Sequence, residues 1–313
     1  MATNFSTYDA IGNREDLTND IWDVTPTATI FLSGAGKIKA TNTIHEWQTD
    51  ALAGVTSNAV VEGADAVIQN TTPTVKLNNL TQIDSLNAQV TGTQDDMDSA
   101  GRAEEMDYQM IKRGKELKRG MEAGLLSNKA KVSGDSATIP REYAGIESFI
   151  HTNVDGGVGA VEATGDGSDA RTAGTLRSFT EAQLKDVLKS AYDNGGEPDM
   201  IMVGSFNKQV ASTFNGNATL TRNVESGTKK LDTAVNIYGS DFGDLNLVPN
   251  RFSNQSTALV LDMSLFKVPM FRDFKEIDLA MTGDNTKKQI LVEYSLESSN
   301  ELGSGAVYDL TVS

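Results

Sequence analysis

Between Ile11 and Leu52 the chain has scattered apolar residues, one proline at Pro26 and a short glycine turn at Gly34-Ala35-Gly36. Such a stretch cannot bury itself, so it is either disordered or held by something else. Trp22, Phe31, Leu32 and Trp47 argue against plain disorder, because large apolar side chains are unfavourable in water. The segment therefore reads as an arm that orders against neighbouring subunits. With His45 in a strand, Ile44 and Trp47 lie on opposite faces. Both faces then need cover, as in a strand clamped between subunits. An ordinary N-terminal strand is the alternative.

At 313 residues the chain could hold one large domain or two. It has no cysteine, which removes disulfides, thiolate metal sites and cysteine nucleophiles. Stability must come from packing and association. The net charge is −16, whereas a free DNA-binding protein normally carries a basic stripe. Such a chain as a whole would repel DNA, and solubility alone explains the charge. No run of 18 apolar residues occurs, and the first ten residues lack the basic and apolar regions of a signal peptide. Synthesis and use in a cytoplasm are expected.

Residues 55–93 are rich in Thr, Asn, Val and Gln, with Val67, Val75, Leu77, Ile83, Leu86 and Val90 at strand-like intervals. A long, thin hairpin is predicted, with too little apolar surface to stand alone. Residues 95–126 predict the longest helix, with Met106, Met110, Leu117, Met121 and Leu125 near one face. Its glycines each cost about 1 kcal/mol against alanine, so packing must hold it, and the glycines permit close contact. Residues 133–177 read as loop. Thr180 and Gln183 form a capping box, with Phe179 and Leu184 as a staple, and Gly195 ends that helix. Met200–Val203 reads as a central strand, with Ser205 capping a short helix and further strands near 234–238 and 245–248. Ile290, Val292, Tyr294 and Leu296 alternate with Glu293 and Glu297, which are expected to face outward. Gly283-Asp284-Asn285 joins that strand to the preceding one as a hairpin, and Tyr308, Leu310 and Val312 suggest a last strand.

Several of these stretches also carry a family resemblance. They are Arg14–Leu17, Thr25-Pro26-Thr27, Phe31-Leu32, Asn42-Thr43, His45–Asp50, Asn58–Asp65, Gly92-Thr93-Gln94 and the helix from Gly114 to Leu126. Together they resemble the start of a tailed-phage major capsid protein of the SU-ten-like major head protein family, whose fold is similar to the Hong Kong 97 phage capsid subunit. The likeness is strong to about residue 132; Ile30 departs from it, standing where proline is expected. The resemblance implies an α+β fold with an N-terminal arm over 1–54 and an extended β-hairpin loop over 55–93 lying across an adjacent subunit. It further implies a peripheral domain with a spine helix over 94–140, an axial domain over 141–256, and a β-rich return to the peripheral domain over 257–313.

The implied function is the major capsid protein of a tailed double-stranded DNA bacteriophage. Pentamers and hexamers would form an icosahedral shell around the genome, assembled in the host bacterial cytoplasm. Arg14, Glu15, Trp22, Trp47 and Glu62 are the candidate subunit-interface residues. Lys112, Arg113, Lys115, Lys118 and Arg119 put five bases within eight residues. They read either as a lumen-facing patch meeting packaged DNA or scaffold, or as a solvated face paired with Glu116 and Glu122. The expected partners are other copies, a separate scaffolding protein, a portal, a decoration protein, and DNA through weak non-specific contact.

Motifs for chemistry are weak. His45-Glu46 begins like a zinc-protease motif, but Thr49 stands where the second histidine must be. Gly34-Ala35-Gly36-Lys37 lacks the rest of a phosphate loop. No catalytic, cofactor or metal residue is assigned. Lys76 near Asn78 suggests the lysine–asparagine cross-link known in some capsids of this fold. Two other readings stand beside the capsid: a cellular nanocompartment of the same fold, and a hydrolase using His45.

Overall fold

The computed structural model describes residues 25–313 apart from 53, 56, 66–67, 69–72, 98–103, 136 and 215–235. From Thr25 the chain makes a single helical turn, α1 (Ile30–Gly34), and strands β1 (Gly36–Lys39), β2 (Ile44–Thr49), β3 (Val75–Leu80) and β4 (Gln82–Thr91). Helices α2 (Gly92–Asp95) and α3 (Glu105–Leu125) follow, then a loop-rich stretch containing β5 (Val154–Asp155). Next come α4 (Glu181–Asp193), β6 (Met200–Val203), α5 (Ser205–Ala211), β7 (Ile237–Ser240) and β8 (Gly243–Pro249). The chain finishes through β9 (Ala258–Leu261), β10 (Phe266–Asp278), β11 (Asn285–Tyr294), β12 (Glu297–Ser298) and β13 (Gly305–Val307).

The longest strands make one sheet in the order β1-β10-β11-β4, with β12 also on β10. The turn around Gly283 joins β10 to β11, as the sequence predicts. α3 lies on this sheet, about 32 Å long at 1.5 Å per residue. Met106, Met110, Leu117, Met121 and Leu125 are its buried stripe, as predicted. A Cβ at Gly124 would collide with the Tyr143 hydroxyl, whereas one at Gly120 would meet nothing within 4 Å.

The second sheet runs β5-β13-β9-β6-β8-β7. Its central strands are buried on both faces, which is why Met200–Val203 is a continuous apolar run. Ile201, Val203 and Val260 pack with Leu184, Val187 and Leu188 of α4. The alternate residues Met202, Leu259 and Leu261 join the core that contains α3 and the first sheet. α4 starts with the complete Thr180–Gln183 capping box, and Gly195 follows it at φ +85°.

Four expectations are corrected. The hairpin expected within 55–93 is instead β2 with β3, joined through residues 50–74, while β4 pairs with β11. Local patterning located the strands but not their partners, which long-range contacts set. Gly204, not Ser205, is the N-cap of α5, and it offers no side-chain cap. Glu293 and Glu297 do not face outward; both are buried. Residues 257–313 supply strands to both sheets, β10, β11 and β12 to the first and β9 and β13 to the second. The last strand ends at Val307, after which Leu310 makes only a bridge to Arg177.

Candidate assembly surfaces

The turn α1 is fastened by one carboxylate. Phe31 and Leu32 donate their amide N–H groups to the two oxygens of Glu122, each at 2.8 Å. N–H groups at the start of a helical turn lack intrahelical partners and favour an anion. Glu122 is fully buried on α3, and Asn250 donates its side-chain amide to the same carboxylate at 2.8 Å. Phe31 then packs edge-on to Phe266 at 5.7 Å between centroids, and β1 continues parallel to β10.

The hairpin is anchored at its base. Trp47 is 9% exposed, with its ring 5.8 Å from that of Phe149. Trp47 thus covers its own chain's core, which corrects the expectation that it waits for a neighbour; Ile44 on the other face stays 44% exposed. Buried Asn79 donates to the carbonyls of Ala144 and Leu296 and accepts from the Ala144 amide at 2.8 Å. His45 Nε2 lies 2.6 Å from Glu297, whose carboxylate also accepts from Lys267 and Ser299. Burial raises the Glu297 pKa, but the hydrogen bonds from His45, Lys267 and Ser299 outweigh it and hold the value at about 2. Glu293 is tied in the same way to Thr81, Arg141 and Arg272 at 2.6–2.8 Å.

Beyond Thr49 the described large apolar side chains lie open to water. Leu52, Val55, Val60, Val61 and Ile68 are 80–106% exposed. Glu62 is exposed beside Gly63, whose φ of +80° permits a turn that the Ala64 amide closes onto the Val61 carbonyl at 3.0 Å. Between Thr49 and Val75 the sequence has three acids, Asp50, Glu62 and Asp65, and no lysine or arginine.

On α3, Lys112, Lys115 and Lys118 are exposed. Arg113 pairs with Glu116 at 2.6 Å, and the Arg119 guanidinium lies 5.5 Å from the Phe252 ring centroid. Glu122, expected to partner these bases, is turned inward to α1. Arg14, Glu15 and Trp22 lie outside the described residues. Asn79, Glu122, Glu293 and Glu297 were missed from the sequence. The one available signal was Glu122 standing among Met121, Leu125 and Leu126. Among the described residues, no three or more His, Cys, Asp or Glu stand close enough to hold a metal ion. No described helix is long and apolar enough to cross a membrane.

The whole chain resembles known shell proteins. The family model described as SU10 major capsid protein matches residues 2–311. A curated major capsid protein of Escherichia phage Phieco32 is 29% identical, over 98% of this chain and 97% of that one. A solved chain of Mycobacterium phage Adephagia superposes with a TM-score of 0.62 at 11% identity, covering 99% of each chain. A chain from the capsid of a native GTA particle gives 0.62 at 10% identity, covering 97% of each. At these identities the superpositions establish the shared mixed α/β fold, while the family-model match establishes kinship. The chain belongs to the SU10 major capsid protein family.

Proposed function

We propose that this chain is the repeating subunit of a phage head, a shell of Hong Kong 97-type subunits in rings of five and six around double-stranded DNA. Family membership supports the reading, and one physical observation carries it. Five large apolar side chains of the 50–74 loop stand almost fully in water, on a hairpin whose base is fixed. An exposed apolar surface on a held element marks an interaction site. Head-to-tail contacts close into rings, and many modest contacts per copy make a durable shell.

In this reading α3 and the β1-β10-β11-β4 sheet form the peripheral domain, and the second sheet with α4 and α5 forms the axial one. The arm, of which Arg14, Glu15 and Trp22 are candidate contacts, and the loop bearing Glu62 reach over neighbours. Lys112 and Lys115 are the exposed bases of α3 that meet DNA or a scaffolding protein, while Lys118 lies over the Phe274 ring at 5.7 Å to its centroid. Portal, scaffolding and decoration proteins are the further partners.

The test is expression alone and with candidate scaffolding proteins, followed by electron microscopy. Closed shells or rings of five and six are expected. Monomers or dimers under every condition would overturn the reading.

A further inference from the structure

β4 is the outermost strand of the first sheet, 10 residues long and paired on one side only, with β11. Its register runs unbroken from Gln82 opposite Tyr294 to Thr91 opposite Asn285, so no bulge turns the edge away. Two hydrogen bonds at its ends show which residues look outward. The Gly92 amide donates to the Asp284 carbonyl at 3.3 Å, on the β11 side, whereas the Thr81 amide donates to the Thr43 carbonyl at 2.9 Å, on the opposite side. Backbone direction alternates along a strand. Ile83, Ser85, Asn87, Gln89 and Thr91 therefore aim their N–H and C=O groups away from β11. Among the described residues none of these groups has a backbone partner, and all five side chains are exposed.

Such an edge is a template for another strand, and proteins that keep one free protect it with lysine, proline or a bulge. β4 has none of these, and its one charged residue is Asp84, which already accepts from the Tyr294 hydroxyl at 2.6 Å. The strand also reads well against itself. With Asn87 on a two-fold axis, antiparallel pairing sets Asn87 against Asn87, Ser85 against Gln89 and Ile83 against Thr91 on the exposed face. On the face toward α3, where Ala88 and Val90 pack on Met106 and Met110, it sets Leu86 against Ala88. The two Asp84 carboxylates then stand about 20 Å apart at roughly 3.3 Å per residue. Copies that each carry −16 thus meet along a line where no like charges oppose each other. We infer that β4 pairs antiparallel with β4 of a second copy of this chain across a two-fold axis, joining two first sheets into one. This inference rests on the shell reading above. An isologous contact closes on itself, so it links neighbouring rings, whereas head-to-tail contacts build each ring. Backbone hydrogen bonds supply the affinity, and the paired Asn87 amides, each donating to the other's carbonyl, fix the register.

The chain has no cysteine, so Asn87→Cys introduces a lone thiol that meets its own copy only on the two-fold axis. Directly opposed Cα atoms in an antiparallel pair lie about 5.5 Å apart, within disulfide reach. Oxidised shells of this variant should run as dimers, and no larger, on a non-reducing denaturing gel. Ile83→Cys shells, whose thiols would lie about 26 Å apart at roughly 3.3 Å per residue, should run as monomer. Monomer from Asn87→Cys, or dimer from Ile83→Cys, would overturn the inference. If the thiol itself hinders assembly, charge exchange decides. Asn87→Lys and Asn87→Asp, each expressed alone, should lower shell yield by about tenfold or more, because like charges then meet on the axis. Since Asn87 is exposed, the isolated subunits should melt as the unmodified chain does. Co-expression of the two variants should restore most of the yield. Yield unaffected by either change, or not restored by co-expression, would overturn the pairing; an arm or scaffold segment on the edge would give loss without rescue. These results leave the shell reading standing. Failure of the unmodified chain to form shells would instead count against that reading.

Discussion

Glu122 holds three donors that would otherwise be buried without an acceptor: two arm amides and the Asn250 side chain. Glu122→Ala should cost about 3 kcal/mol or more, since each unpaired buried donor costs about 1–3 kcal/mol. Urea denaturation of the unassembled subunit measures this, and proteolysis near Thr29–Gly36 should accelerate. Two glycines one turn apart on the same helix should respond in opposite directions. Gly120 faces open space, so Gly120→Ala should stabilise by about 1 kcal/mol through helix propensity. Gly124→Ala should destabilise by about 1–3 kcal/mol, because the new methyl meets the Tyr143 hydroxyl in a packed core. Thermal melts of the two variants decide it. Trp47→Ala should lose about 3–5 kcal/mol as a core truncation, so poor assembly in that variant would report folding rather than a lost interface. The sequence marked Trp47 as a residue needing cover. Which chain supplies the cover depends on Phe149, about a hundred positions away, and no local pattern contains that information.

Elements divided in the same way. The α4 capping box, the β6 run and the β10–β11 turn were legible because the signals that make them lie within a few residues of one another. The pairing of β2 with β3 was not, because residues 50–74 separate them and the register is fixed by Asn79, Trp47 and His45 reaching the core. A strand's alternation names its two faces but not whether both are covered, which is why Glu293 and Glu297 were misplaced. The loop between β2 and β3 was legible as something that needs a surface. Val60→Asp with Val61→Asp should therefore leave the melting temperature of the isolated subunit unchanged within about 1 °C, as surface changes cost at most about 0.5 kcal/mol. The same variant should yield few or no shells by electron microscopy. A fall in melting temperature with normal shells would mean that the loop packs on its own chain.

For the molecule as a whole, assembly brings together copies that each carry −16. That repulsion acts at long range and is screened over about 10 Å at 0.1 M salt and about 3 Å at 1 M. Assembly followed by light scattering should therefore speed up with salt at pH 7. It should also speed up as pH falls from 7 toward the sequence pI of about 4.5, where net repulsion vanishes. The hairpin sets the lower limit. Glu297, at about 2 in the folded chain, lies below its ordinary carboxylate value of roughly 4.3. A depressed acid contributes stability that is fully present above the unfolded value and is lost as pH falls through the folded one. The tie from β12 to His45 is thus intact at pH 5 and fails between about 4 and 2. Glu297→Gln should be less stable than the unmodified chain by about 2 kcal/mol at pH 7, the scale of hydrogen bonds to a charged group. The difference should shrink toward zero by about pH 2. A difference that stays constant across that range would mean that Glu297 acts through packing and not through its charge.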